Sequence, residues 1–446
     1  MIAEELGTYS ATLRYEHLPV AVRQKIKLHL LDTLGSAMLA AEMAKHQTLL
    51  DVYTEQGEHV VWGTHAKRSL RDAIVLNSFL SHATYLDDGD RHSGAHPGCV
   101  IVPAVLALAV GRKLSGSQAI AAIAAGYEVM LRVGGAIYPS AVIRGFQSTA
   151  ILGALGSAAA SASMLGLSSV ETANAIAIAS NLGVGLKGAL QEASSQPLQV
   201  ARASEGGVVA AFYAAAGAKG WNGIIENGFL GAFSDEHDES RVLLDLGGAH
   251  RVMDSYAKLH GGCRGCHAAI DVVELAVKKS DISVKDIEAM TVVVDEVAYA
   301  AENHNPTSGE EGQFSIPFAV ALMLIKGSAA APLFNDENIE DQEVRSLMRR
   351  IKVVGDSSRI EDFPHKKGAL VEIEMKNGEL VHERILAAKG EPEFPMNQAD
   401  MERKFLSLAR GTLGSSAELL MGMVLNMEKY ENLDFLSASL SRSLEG

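Results

Sequence analysis

The segment His82-Ala-Thr-Tyr-Leu-Asp-Asp-Gly-Asp-Arg-His-Ser-Gly-Ala-His-Pro-Gly-Cys-Val-Ile-Val-Pro103 decides how the rest of the chain is read. It packs Asp87, Asp88, Asp90, Arg91, His92 and His96 into about ten residues. Gly89, Gly94, Pro97 and Gly98 interrupt any helix, so the spacing predicts a loop. Helical patterns flank it, Ala73 to His82 before and Val102 to Val110 after, with Pro103 placed in the first turn of the second helix. A titratable loop between two apolar helices suits proton-transfer groups. The plainer reading is a solvated surface loop. A metal site is a third: Asp88, His92 and His96 would share one helix face, but the glycines forbid that face and no metal-motif spacing is present.

Working outward, the 446 residues allow two or three domains and a large core. Hydrophobic residues make up 48% and aromatics only 5%, so that core is built from Ala, Val, Leu, Ile and Gly rather than rings. A net charge of −15 argues against nucleic acid or an anionic membrane as partner. A small anionic substrate would need local cations, for which Arg91, Arg144, Arg202, Lys258 and Arg264 are candidates. The start of the chain shows no basic-then-apolar signal, and its three cysteines make no disulfide framework; the expected location is cytoplasmic.

Upstream, Leu18-Pro19 opens an amphipathic helix carrying Val22, Ile26, Leu30, Leu31 and Leu34. Downstream, Ser115-Gly-Ser-Gln caps a helix over 117–133. Residues 150–220 shift to Ala, Gly and Ser, which predicts closely packed buried helices, with a stop at Gly166 and a restart before Glu171. Two polar breaks, Arg144 to Thr149 with Gln147 and Gln191 to Gln199 with Gln196, either seek partners in a cleft or are surface loops. After about residue 255 strands appear: Thr291–Val294, Ile351–Val354, and an alternating pair joined by a two-residue turn at Asn377-Gly378. Helical patterns lie between them at about 267–279 and 315–326. The boundaries expected are 1–255 for an all-helical domain, 256–390 for an α+β domain, and 391–446 for helices that rejoin the first.

A second constellation is Lys258-Leu-His260-Gly-Gly-Cys263-Arg264-Gly-Cys266-His267. Cys-x-x-Cys-His is the attachment pattern of c-type haem, yet no export signal accompanies it; a redox pair lacks the strand-then-helix setting. The third reading is an anion site, with Lys258, His260 and Arg264 around a glycine turn at a helix start. There a partly buried lysine can serve as a base.

Together these segments resemble the 2-methylcitrate dehydratase superfamily (the MmgE/PrpD group), which also includes cis-aconitate decarboxylase and iminodisuccinate epimerase. The resemblance is carried by Leu18-Pro19, Lys27, Leu30 to Gly35, Leu86-Asp87-Asp88 with His96-Pro97 and Val102-Pro103-Ala104, Gly153 to Ala160, Lys258 to Asp271, and Phe314 to Phe318. It implies a mainly α fold: a large all-helical domain made from both chain ends and a smaller α+β lid, with the active site in the cleft and a homodimer as the assembly. It also implies cofactor-free and metal-free proton transfer at carbon next to a carboxylate of a small di- or tricarboxylate, with His96 and Lys258 at matching functional positions. Departures from the family's dehydratases and decarboxylases stand at Tyr85 (Asp expected), Gly89 (Thr), Gln147 (His), Gln196 and Gln199 (Lys and His) and Phe318 (Tyr). Gln can bind a carboxylate but cannot protonate a leaving hydroxyl.

The sequence reading is therefore an epimerase or racemase of the iminodisuccinate type. His96, Lys258, Tyr85 and Asp88 are its catalytic candidates; Arg91, Gln147, Gln196, Arg264 and His267 are its substrate-binding candidates. The alternatives are a dehydratase or decarboxylase of the same fold, and a carboxylate-binding protein without catalysis.

Overall fold

The computed structural model describes residues 1–192, 195–361, 363 and 366–442. The polar break at 191–199 therefore falls partly outside the described residues. The chain forms two compact units, one of residues 1–256 with 397–446 and one of residues 257–396.

The first unit is helical, with two short two-stranded pairings, one of them His59–Val60 with Lys67–Arg68. Its principal elements are α1 (Ile2–Thr12), α2 (Val20–Glu42), α3 (Leu70–His82), β1 (Gly89–Asp90), α4 (Gly98–Ala109), α5 (Gly116–Ile137), α6 (Ser148–Met164), α7 (Ser169–Ala179), α8 (Gln196–Ala215) and β2 (Ser255–Tyr256). Ser115 and Gln118 exchange hydrogen bonds as a capping box at the start of α5, and Ser168 with Glu171 does the same for α7. With few rings to fill space, the core is closed by bringing helix axes together. A Cβ on Gly207 of α8 would lie 2.4 Å from the Ser157 Cβ and 2.5 Å from the Ala158 backbone nitrogen of α6. Buried hydroxyls stitch these helices: Ser157 donates to the Ser204 carbonyl at 2.6 Å, and Ser204 to the Val100 carbonyl at 2.6 Å. Helix α5 is long and apolar enough to cross a membrane, but it is almost wholly buried in this core.

Pro103 corrects one expectation. Helix α4 begins at Gly98, directly after Pro97, so Pro103 lies in its interior. The missing N–H would ordinarily pair with the Cys99 carbonyl four residues back. The Ser78 hydroxyl of α3 donates to that carbonyl instead, at 2.7 Å.

The second unit holds α9 (Arg264–Lys279), β3 (Ile287–Val294), α10 (Ile316–Lys326), β4 (Ile351–Gly355), β5 (Ala369–Met375) and β6 (Leu380–Ile385). Its sheet has the order β4-β3-β5-β6, with β3 and β4 parallel and the other pairs antiparallel. The parallel pair needs a long crossover, and α10 lies within it. On β5, Ala369, Val371, Ile373 and Met375 face inward onto α9, in the core that also holds α10, while Glu372 and Glu374 alternate outward. The β5–β6 turn is longer than the two residues expected. Gly378 donates to the Met375 carbonyl and Met375 to the Glu379 carbonyl, which leaves three residues in the loop. Gly378, at φ +85°, takes the left-handed position that such a loop requires.

The chain then enters α11 (Gln398–Leu413), which packs along α2 in the first unit.

Candidate active site

The stretch between α3 and α4 is not a solvated loop: Asp87, Asp88 and Asp90 are all buried. The chain can bury them because each is given hydrogen-bond donors. Asp90 closes a turn on itself, its Oδ1 accepting from the Ser93 N–H (2.8 Å), the Ser93 hydroxyl (2.7 Å) and the His92 N–H (3.1 Å). Its strand β1 pairs with β2, Gly89 opposite Tyr256, and a Cβ at residue 89 would run into the Tyr256 phenol. Glycine at this departure from the family pattern is thus a packing requirement.

Asp88 sits deeper, between helices. Its Oδ1 accepts from the Gly98 N–H at 3.0 Å, in the first turn of α4, and its Oδ2 from the Tyr127 hydroxyl of α5 at 2.7 Å. His29 Nδ1 of α2 lies 3.2 Å from the same Oδ2, without the alignment of a hydrogen bond. Burial drives the Asp88 carboxyl up to about 8; the Tyr127 hydrogen bond opposes this, while Asp32 and Asp87 add to it. Burial also holds His29 well below its ordinary value, so its imidazole is neutral. Asp88 was expected among the catalytic groups. The structure turns its carboxyl group inward, and the Asp88 backbone carbonyl is what meets His96.

His96 ends the loop. Its backbone N–H donates to Thr149 Oγ1 at 3.0 Å, and its Nδ1 lies 2.7 Å from the Asp88 carbonyl oxygen. A carbonyl only accepts, so Nδ1 carries the hydrogen and the basic lone pair is on Nε2. The side chain keeps 19% of its surface exposed. Behind it, His82 Nδ1 bonds Asp87 Oδ2 at 2.7 Å, and the His82 and His96 rings meet edge to face at 5.1 Å. Tyr85 packs edge-on against His82 at 5.5 Å and adopts φ +55°, a costly conformation for a residue with a side chain.

His82, Asp87 and His96 offer three metal-ligand atoms within 4.8 Å of one another. Chemically they fit a hydrogen-bonded relay better than a metal cage, because the His96 Nδ1 facing this cluster is committed to a carbonyl and must keep its proton.

The remaining candidates of this unit make other contacts. Arg91 is partly buried, its Nε 3.5 Å from His92 Nε2. Gln147 is the N-cap of α6, its Oε1 accepting from the Ala150 N–H at 2.5 Å, so its carbonyl end is used by the helix. Gln196 opens α8 and is buried, with no partner for its Oε1 among the described residues.

In the second unit Lys258 is 4% exposed. The anion site of three cations is corrected by its neighbours. Arg264 forms a two-pronged ion pair with Glu391, at 2.8 and 2.6 Å, and His260 Nε2 bonds Asp271 Oδ1 at 2.6 Å. Two of the three potential cations are thus partnered by carboxylates of the same unit. His267 is buried on α9, its ring 5.5 Å from that of His260. The helix begins at Arg264, earlier than the pattern suggested, with Cys263 as its N-cap.

Sequence reading missed His29, Tyr127, His82 and Lys404 as parts of the first-unit site. Lys404 of α11 pairs with Asp32 and donates to the Leu86 carbonyl at 3.0 Å, which pins the backbone beside Asp87. His82 was detectable in principle, since it ends a helix five residues before a carboxylate; the others come from distant helices and left no local signal.

Comparison with known families matches the MmgE/PrpD N-terminal domain to residues 4–241 and the MmgE/PrpD C-terminal domain to residues 260–429. The chain belongs to the MmgE/PrpD family. Similar relatives of this MmgE/PrpD protein include the cis-aconitate decarboxylase-like protein oryM of Aspergillus oryzae, 26% identical over 99% of this chain and 98% of the relative. The cis-aconitate decarboxylase of Homo sapiens is 26% identical over 98% and 94%, and that of Aspergillus terreus 24% over 97% and 94%. The particular closeness to iminodisuccinate epimerase expected from the sequence does not emerge; the similar relatives carry decarboxylase names.

Proposed function

We propose that this protein transfers protons at a carbon next to a carboxylate of a small di- or tricarboxylate, using its own acids and bases, as a lyase of the cis-aconitate decarboxylase type. The supporting observation is His96: partly exposed and fixed through Nδ1 by the Asp88 carbonyl, which puts its basic lone pair on Nε2, the atom that takes or gives the proton. The full-length similarity to cis-aconitate decarboxylases favours the lyase. In that reaction the bond to the departing carboxylate breaks and its electron pair passes into the unsaturated carbon framework. The imidazolium of His96 then delivers a proton to carbon as CO₂ leaves. Lys258, buried in the second unit, is proposed as a further ionisable participant on the family match alone.

A second reading, the epimerase, rests on one observation. Gln147 and Gln196 stand where proton donors are expected, and Gln147 is spent on a helix cap. An epimerase needs one group to remove the α-proton and another to return it to the opposite face, with nothing leaving.

Turnover of cis-aconitate and a panel of dicarboxylates in deuterated water, followed by NMR, tests both readings. The lyase predicts CO₂ release with one deuterium on carbon per product molecule. The epimerase predicts deuterium at the α-carbon with every carboxylate retained. His96→Asn should slow either reaction by about 10² to 10⁴ with unchanged melting. A variant that keeps full turnover removes His96 from the mechanism, and ligand binding without any exchange would leave only a carboxylate-binding protein.

A further inference from the structure

The Cys263-x-x-Cys266 motif is left unused by acid–base chemistry at His96. Cys263 is the N-cap of α9, a helix of 16 residues, and Cys266 lies in its first turn, the two Sγ atoms 3.8 Å apart. The two thiols differ in access. Cys266 is fully buried, whereas Cys263 is partly exposed and borders a cavity of about 250 Å³ within the second unit. Ala268, Val297, Ala298 and Phe314 give that cavity apolar walls. The arrangement pairs a reachable thiol at a helix start with a hidden one poised behind it, the setting in which one sulfur attacks and the other resolves. The hydrogen bond from the Cys266 thiol lowers the Cys263 thiol below its ordinary value, against the effect of burial; the Lys258 charge adds to the lowering. Cys266 is pushed well up by the same partnership and by burial. No strand runs directly into the pair, residues 257–262 carrying none, but the helix start adds its favourable field to that of Lys258.

We propose that Cys263 and Cys266 are a reversible dithiol–disulfide site, oxidised by small hydroperoxides that enter this cavity. The Cys263 thiolate attacks the terminal peroxide oxygen; the O–O bond breaks and the alcohol, or water for hydrogen peroxide, departs with the proton. Cys263 is then a sulfenic acid. Cys266 gives up its proton and attacks the Cys263 sulfur, the S–S bond forms, the S–O bond breaks, and the oxygen leaves as water. Two thiols are oxidised and one peroxide is reduced. Bond formation brings the sulfurs from 3.8 Å to about 2.05 Å, a side-chain movement at the helix start.

Intact-mass analysis and thiol counting of the full-length protein under hydrogen peroxide test this. The wild type should lose two of its three thiols and about 2 Da, both restored by dithiothreitol, with the bridge mapped to 263–266. Cys266→Ser should instead gain a single oxygen at Cys263 that dimedone traps, and Cys263→Ser should keep its remaining two thiols. Retention of all three thiols in wild type overturns the proposal without recourse to any variant. So does a bridge involving Cys99, or loss of thiols in Cys263→Ser at the wild-type rate.

Discussion

A carboxyl group held at about 8 is mostly protonated at neutral pH, and Asp88 is such a group. The folded state binds its proton more tightly than the unfolded chain does, where the ordinary value of 3.8 applies. Stability from this group is therefore fully present below 3.8, falls as pH rises through the interval to about 8, and is flat above. Asp88→Asn has no such slope. Its amide can donate toward Tyr127 and His29 while its oxygen still accepts from the Gly98 N–H, so the neutral contacts survive. The expected outcome is a melting-temperature difference that moves in favour of Asp88→Asn as pH rises through this interval and then stays constant. Parallel wild-type and variant curves would mean that Asp88 is ionised throughout. At this scale the geometry also explains why His96 has the character of a base: a single backbone carbonyl selects its tautomer.

Among elements, α4 is the informative case, because a proline in its interior would ordinarily leave a buried carbonyl unmet. Ser78→Ala should destabilise the protein by about 1–3 kcal/mol in chemical denaturation, the cost of stranding the Cys99 carbonyl. In a Pro103→Ala background the restored N–H can serve that carbonyl, and the same substitution should cost about 1 kcal/mol less. Equal costs in both backgrounds would show that the hydroxyl does not replace the missing donor. The α6–α8 contact gives a second test. Gly207→Ala should destabilise by about 1–3 kcal/mol, since the new methyl meets backbone as well as the Ser157 side chain and the helix axes must shift to admit it. An unchanged unfolding midpoint would mean that the helix axes can separate freely.

Across the whole molecule, the helical unit is closed by its C-terminal segment. Lys404 brings a buried cation to Asp32 and a hydrogen bond to the Leu86 carbonyl, 318 residues away in sequence. Lys404→Met removes that cation from a buried carboxylate and should cost about 3–5 kcal/mol by chemical denaturation; adding Asp32→Asn should recover part of the loss. A surface-like cost below about 1 kcal/mol would show the pair to be solvated. Much of the fold was legible beforehand: the N-cap at Ser115, the stop at Gly166, the alternation of Val371, Ile373 and Met375, and the hairpin at Gly378. Each is a signal between residues a few positions apart, where backbone geometry and side-chain period act directly. His96 was legible as a candidate because a helix-breaking loop rich in ionisable groups announces itself locally. What the loop's charges do was not legible. Composition suggests solvated aspartates, whereas packing buries all three and assigns Asp90 to a turn, Asp87 to His82 and Asp88 to Tyr127 and Gly98. The sequence alone thus determined the helices, the strands, the loop and its chemical inventory. Only tertiary structure decided the protonation state and orientation of that inventory, because both depend on desolvation and on partners delivered from helices far along the chain.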